Sequence, residues 1–244
     1  MASREHVRGG GRGQPLSPIL HSALHGNAFN PDTGNIAEYR ELSQSSDDHF
    51  WLESNCEEIG RLAQGYKQTK GTNTIYFIPV SAVPQGHKAT YLRVVSAMRP
   101  EKINPRRVRW TVGGDKVEYP HDVSTKTADL TTAKLLINSV LSTQDGRFMC
   151  IDIKDFYLGT PMERYEYMRI PLYMLPDAII EQYNLLPLVH NGHVYVEIRR
   201  GMYGLPQAGK LANDQLNQVS RPAWLRARSL DGRLVATQDP RHRL

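Results

Sequence analysis

The chain has 244 residues and carries 30 Lys and Arg against 25 Asp and Glu, for a formal net charge of +5 and a pI near 9.2. Its hydrophobic content of 40% and mean hydropathy of −0.49 lie below those of an average globular protein, so we expect part of the chain to be disordered. The absence of an 18-residue apolar run and of a signal-peptide core excludes a membrane-spanning segment and predicts a soluble, intracellular protein without a membrane partner.

The two cysteines and the charge balance limit the chemistry further. Cys56 and Cys150 lie in apolar contexts far apart in sequence, which predicts buried free thiols in a reducing compartment rather than a disulfide. The net positive charge is compatible with a polyanionic partner but does not require one.

The N-terminal third begins with a tail and continues with a helix. Residues 1–36 are rich in Gly, Arg, Pro, Ser and Asn and lack a hydrophobic period, which predicts a flexible tail. Leu52, Cys56, Ile59 and Leu62 then recur at a helical period, so we predict a helix that begins at Asp47 or Asp48 and ends near residue 63.

Residues 72–119 have the composition of short β-strands. Residues 73–80, 90–95 and 107–112 are predicted strands, and the last is predicted to form a hairpin with 116–119 across Gly113 and Gly114. Alternation places Arg107 and Arg109 on one face of their strand. This basic module is either a solvated surface or a surface for an anionic ligand.

The segment 120–220 alternates helices and strands. The patterns predict helices at about 124–141, 177–183 and 207–219, a buried strand at 147–153, and a strand at 193–198 after an Asn191-Gly192 turn. Residues 221–244 hold six arginines and no lysine and continue none of these patterns, so we interpret them as an unrelated, disordered tail.

Three side chains near the end of the predicted strand at 147–153 are candidates for chemistry. Asp152 is either a ligand for a hard cation such as Mg²⁺, with the Ile153 carbonyl beside it, or a carboxylate that caps a turn or pairs with an arginine. Asp155 is either a turn residue or part of a nucleotide pocket. Tyr157 either fills the core or stacks against a sugar.

The Gly-rich turn at 201–209 is a second candidate. Pro206 stiffens this turn, and Gln207 offers an amide at the start of a helix, where backbone N–H groups point outward. The turn is either purely structural or a surface that holds a base pair and a phosphate. Its spacing matches neither a Walker loop nor a dinucleotide-binding loop.

In combination, these segments resemble a reverse transcriptase of the Ty1/copia retrotransposon family. The sequence IDIKDFYL at 151–158, followed by YGLPQA at 203–208, is similar to the first two palm motifs of that family. RLAQG at 61–65, KGT at 70–72, RWTVGGD at 109–115 and YP at 119–120 resemble its fingers region. The resemblance covers about residues 36–218. It implies an α+β, partial right-hand polymerase fold, with a fingers-like module at 37–119 and part of a palm at 120–220.

The resemblance also implies roles for individual residues, with Mg²⁺ as cofactor and dNTPs and an RNA or DNA template-primer as partners. Asp152 would be the first metal-binding aspartate, and Ile153 would add its carbonyl. Asp155, Phe156 and Tyr157 would line the nucleotide site, with Tyr157 at the steric-gate position. Pro206, Gln207 and Gly209 would contact nucleotide or template, and Arg109 or Arg107 would bind the triphosphate.

One family motif is absent from these 244 residues. The polymerase needs a Tyr-x-Asp-Asp hairpin to complete its two-metal site, and none follows Gly209. We therefore expect a fragment of an RNA-directed DNA polymerase that is inactive alone. The alternatives are a non-catalytic nucleic-acid-binding protein and a degenerate retroelement relic.

Overall fold

The computed structural model describes residues 26–99, 103–125, 129–147 and 152–219, together with two strands at 225–230 and 233–238. The chain divides into two compact units, Met1–Ser54 with Ser96–Val108 and Asn55–Val95 with Arg109–Leu244. The predicted division into a fingers-like module and a partial palm stays a prediction, and three helices or strands run from one unit into the other. No helix of the described residues is long and apolar enough to cross a membrane.

In the first unit, order begins earlier than the predicted start at Ile36. Phe29 forms an antiparallel bridge with Ile36, and a further bridge joins Asn27 to Ala97. Helix α1, Tyr39–Leu42, follows and buries both of its terminal residues. The expected flexible tail is therefore shorter than 36 residues, and its first 25 residues lie outside the described part.

Helix α2, Asp48–Leu62, confirms the helix predicted from the period of its apolar residues. Cys56, Ile59 and Leu62 are buried, but Leu52 is only half-buried, and Trp51 fills the core in its place. Just before the helix, Asp47 forms an ion pair with Arg106, whose guanidinium lies 4.3 Å from the Phe50 ring centroid.

The second unit contains most of a five-stranded mixed sheet. Its strands are β3 (Ile75–Ile78), β4 (Thr90–Met98), β5 (Arg106–Val112), β6 (Pro161–Pro171) and β7 (His193–Arg200), in the order β3-β7-β6-β4-β5. β7 pairs antiparallel with β3 and with β6, whereas β6 pairs parallel with β4. A two-stranded sheet of β1 (Gly65–Tyr66) and β2 (Thr69–Lys70) precedes β3. The predicted α+β class is confirmed at this level.

Strand β7 follows the sequence pattern closely. Val194, Val196 and Ile198 are fully buried and alternate with half-buried neighbours, as their period of two predicts. Asn191 and Gly192 both have positive φ angles, 48° and 73°, the backbone that a two-residue hairpin turn requires.

The sequence did not reveal β6, and the predicted hairpin after β5 is wrong. β6 combines buried and exposed residues irregularly, and its register shifts between Pro161 and Glu166, so no period of two was visible. Gly114–Lys116 forms a short 3-10 helix instead of starting a strand. The reason is tertiary: Gly113 donates its N–H to the Tyr91 carbonyl and accepts from the Thr90 hydroxyl, which ties the turn to β4.

Helix α3, Leu130–Leu141, forms where the pattern predicts a helix, but its apolar side is not buried. The helix begins later than predicted, because Asp129 caps it by accepting from the Thr132 N–H at 2.7 Å. None of its residues is buried in the described structure, and Leu130 and Leu141 are 69% and 80% exposed.

The remaining helices agree with the sequence. Helix α4, Asp177–Gln182, and helix α5, Ala208–Val219, lie within the predicted ranges.

Residues 148–151 of the predicted strand at 147–153, including Cys150, lie outside the described residues, and Asp152 and Ile153 are not in a strand. The expected disordered C-terminal tail contains β8 (Leu225–Leu230) and β9 (Arg233–Gln238), which pair antiparallel.

Candidate functional site

Arg61 lies in the last turn of helix α2, between two carboxylates of the second unit. Its guanidinium donates to Glu58 at 2.6–2.9 Å and to Asp155 Oδ1 at 2.6 Å. The three side chains are only 15%, 4% and 26% exposed, so the ion pairs are shielded from water. Glu58 Oε1 also accepts from the Trp110 backbone N–H at 3.2 Å, which links α2 to β5.

The ion pair with Arg61 holds the turn that carries the first palm-like motif. Asp155 has a φ angle of 53°, a left-handed conformation that an aspartate adopts more readily than most residues. Backbone hydrogen bonds from Gly159 to Asp155 and from Thr160 to Tyr157, both at 2.9 Å, close the turn. The predicted alternative that Asp155 is a turn residue is confirmed.

The Gly-rich turn at 201–209 packs directly against this first turn and against β5. Gly201 donates its N–H to Thr160 O, and Val112 donates to Tyr203 O, each at 2.8 Å. Gly204 has a φ angle of 93°, and a Cβ at this position would overlap the backbone of Val112. Only glycine fits here, so the sequence requirement is both conformational and steric.

Tyr203 is the centre at which these segments meet. The Arg109 guanidinium lies 4.5 Å from the centroid of the Tyr203 ring, a cation–π contact, and the Tyr157 ring contacts it edge-on at 5.7 Å. A Cβ at Gly209 would lie 3.8 Å from the Tyr157 hydroxyl, so α5 begins beside the same ring. We call Arg61, Arg109, Asp155, Tyr157 and Tyr203 the arginine–tyrosine cluster.

The two arginines of the cluster differ in their electrostatic state. Burial alone would lower the pKa of the Arg61 guanidinium. The nearby Glu58, Asp155 and Tyr203 outweigh this effect, so the pKa lies above its usual value. Arg61 is thus a fully paired, structural cation. No carboxylate in the described part of the chain forms an ion pair with Arg109, whose charge is available to an anion.

Gln207 is bound inside the protein, and the contact with nucleotide or template that the resemblance implies stays a prediction. This residue is only 1% exposed, and its Nε2 donates to Glu166 Oε1 at 3.3 Å rather than to a surface ligand. Its Oε1 has no hydrogen-bond partner among the described residues. Burial raises the pKa of Glu166 above its usual value, against the opposing effects of Arg164, His87 and Gln207.

The described residues do not assemble a two-metal site. Asp152 and Ile153 are exposed, and the Asp155 carboxylate is bound to Arg61. No group of three or more His, Cys, Asp or Glu side chains that could hold a metal occurs in the described ranges. The available donors therefore do not fit a pair of Mg²⁺ ions, and the Mg²⁺ cofactor stays a prediction.

The other predicted site residues lie at the edges of the cluster or outside it. The Phe156 ring contacts the Tyr157 ring at 6.0 Å, and Pro206 packs close to Gly114. Arg107 and Arg109 occupy the same face of β5, as the alternation predicts, but Arg107 belongs to the first compact unit.

Sequence reasoning missed the roles of Tyr203 and Arg61, although both residues lie within segments that carry the family resemblance. The sequence feature that could have indicated Tyr203 is an aromatic residue next to a glycine in a turn. A ring in a turn has no neighbouring helix or strand residues of its own segment to pack against. Arg61 lies 94 positions from Asp155, and no local pattern reports such a pair.

No protein-family model, no curated protein and no solved structure matches this chain.

Proposed function

We propose that this chain is a nucleotide-binding fragment of an RNA-directed DNA polymerase of the Ty1/copia retrotransposon type. The observation that supports the proposal is the meeting of three segments at Tyr203. The IDIKDFYL and YGLPQA segments contribute Tyr157 and Tyr203, and β5 contributes Arg109. These are the segments in which the family would bind a deoxynucleoside triphosphate.

The chemistry of the cluster suits a triphosphate that carries a sugar and a base. A guanidinium without a carboxylate partner binds phosphate oxygens through charge-assisted hydrogen bonds. The Tyr157 ring lies next to Tyr203, where it would contact the sugar and disfavour a 2′-hydroxyl. Catalysis of phosphoryl transfer depends mainly on positioning and charge neutralisation. The arginine–tyrosine cluster would therefore still bind the triphosphate without the remaining catalytic groups.

We expect the polypeptide to bind nucleotide without extending a primer. These 244 residues contain no Tyr-x-Asp-Asp sequence, and Asp152 stands without further carboxylate ligands in the described structure. Two divalent ions about 4 Å apart require several carboxylates. Nucleotide binding and primer extension are therefore separable properties of this chain.

Titration of the purified chain with a fluorescent dNTP tests the proposal. We expect saturable binding that weakens at least tenfold in Arg109→Gln, and Arg93→Gln serves as the matched control because Arg93 is an exposed arginine on the neighbouring strand β4. Equal binding by wild type and Arg109→Gln, or no binding at millimolar dNTP, would overturn the proposal. A primer–template assay with Mg²⁺ and dNTPs should show no extension, and extension would contradict the expected inactivity.

A further inference from the structure

The face of the central sheet opposite its buried residues carries an unusual number of tyrosines and arginines. Register places Tyr91 on β4, Arg169 on β6 and Tyr195 on β7 in one row across three neighbouring strands. The residues next to them along β6 and β7, such as Met168 and Val196, lie on the opposite face and are fully buried. We call the surface that contains this row the outer face.

A cavity of about 690 Å³ opens over this row, a size within the range of small-ligand sites. Its walls include the Tyr91 and Tyr195 rings, and Tyr91 is 41% exposed. Adjacent strands lie about 4.8 Å apart, so two tyrosines separated by one strand are roughly 10 Å apart, with Arg169 between them.

Among the charged side chains of the cavity that form no ion pair, positive charges predominate. Lys88 and Arg169 are exposed and form no ion pair within the described residues. The carboxylate of Asp115, by contrast, already accepts from the Tyr91 hydroxyl at 2.8 Å and lies 3.6 Å from Lys116 Nζ. One further carboxylate, Glu118, lines the cavity, so the free cations outnumber the free anions.

The outer face continues past the cavity with a second stack. The Arg199 guanidinium lies 3.9 Å from the Tyr76 ring centroid and 5.6 Å from that of Tyr165. Tyr165 is 40% exposed, and Arg199 also pairs with Glu197 at 2.6 Å. Together with the row over the cavity, flat aromatic and guanidinium planes therefore extend over four strands of one sheet, β3, β7, β6 and β4.

We propose that the outer face binds a single-stranded nucleic acid, with bases stacked on Tyr91 and Tyr195 and phosphates at Lys88 and Arg169. Tyr91 is exposed and Tyr195 is half-buried beside the cavity. Accessible rings on a sheet stack on unpaired bases, whereas a duplex hides the faces of its bases. Unpaired cations beside the rings match the phosphate backbone. This surface is formed by other residues than the arginine–tyrosine cluster, so the inference does not depend on nucleotide binding there.

Fluorescence anisotropy of the full chain with a labelled 12-nucleotide single strand tests the inference. We expect Tyr195→Ala to weaken binding at least fivefold and Tyr195→Phe to retain it, because base–aromatic stacking needs only the ring. Tyr173→Ala is the matched control, since Tyr173 is 70% exposed but lies beyond the end of β6. Circular dichroism of each variant establishes that it is folded.

Charge and strandedness provide two further readouts. Arg169→Gln should reduce the slope of log Kd against log salt concentration by about 0.7, the value for one phosphate contact on a single strand. A duplex of the same sequence should bind at least tenfold more weakly than the single strand. Equal affinity for the duplex, or unchanged single-strand binding by Tyr195→Ala, would overturn the inference. Arg109→Gln should leave single-strand affinity within twofold of wild type, and Tyr195→Ala should leave dNTP affinity unchanged, so the two proposals fail separately.

Discussion

Replacing Arg61 with methionine should destabilise the protein by about 3–5 kcal/mol, the usual cost of removing one partner from a buried ion pair. The structure supports the upper part of that range. Arg61 serves two carboxylates, and the more deeply buried of them, Glu58, is 4% exposed in its side chain. Methionine fills a similar volume, so the loss would come from the two stranded carboxylates rather than from a cavity.

Urea denaturation followed by circular dichroism measures this effect, and a double-mutant cycle identifies its cause. Glu58→Gln/Arg61→Met should be less destabilised than the sum of the two single variants by at least about 1 kcal/mol, because glutamine removes the stranded charge but still accepts from the Trp110 N–H. Asp155→Asn should cost only about 1 kcal/mol, since an amide oxygen still accepts from Arg61 and the site is a quarter exposed. A loss below about 1 kcal/mol for Arg61→Met, at an unchanged m-value, would refute the structural role given to this ion pair.

Two other substitutions, Glu166→Gln and Gly204→Ala, test the energetics of the Gly-rich turn at 201–209 and its neighbours. Glu166→Gln should raise stability by about 1 kcal/mol at pH 7, because the folded-state pKa of Glu166 is raised and its ionisation therefore opposes folding. This gain should shrink as the pH falls from the raised folded-state pKa of Glu166 towards the ordinary value of 4.5, and it should vanish below 4.5, where Glu166 is protonated in both states. A gain that grows towards acid pH would contradict the assignment, and Glu163→Gln, at an exposed site on β6, is the control. Gly204→Ala should cost well over 2 kcal/mol, whereas Gly86→Ala should cost about 1 kcal/mol: both glycines have φ near 90°, but only the added methyl at Gly204 meets the backbone of β5. Equal urea midpoints for these two alanine variants would show that the close packing of the turn carries no energetic weight.

The parts of the fold that were predictable from sequence are those set by local patterns. The Asn191-Gly192 turn and β7 follow from backbone preference and strict alternation, and α2 follows from its apolar period. β6 was not predictable, because its pairing with β7 includes a register shift and its exposed face holds both charges and rings. Its partners, rather than its own sequence, determine that it is a strand.

The candidate site shows the same division between local and non-local information. The sequence predicted that Asp152 would be a metal ligand, a turn cap or the partner of an arginine, and that Asp155 would be a turn residue or line a nucleotide pocket. The structure pairs Asp155 with Arg61, 94 residues apart, and leaves Asp152 exposed. The resemblance implied that Gln207 contacts nucleotide or template, whereas in the structure its side-chain amide donates to Glu166, 41 residues away.

Helix α3 shows what an amphipathic pattern can and cannot establish. Five of its large apolar side chains, those of Leu130, Leu135, Leu136, Ile137 and Leu141, are 43–80% exposed. Full burial of each would contribute about 1.5–3 kcal/mol, so much of the hydrophobic stabilisation encoded in this helix is not realised within the described residues. A 12-residue helix with no buried residue in the described structure is marginal in water, and the Asp129 cap adds only about 1 kcal/mol. The apolar period therefore correctly predicted a helix, but burial also depends on a covering surface, which a periodic pattern does not identify.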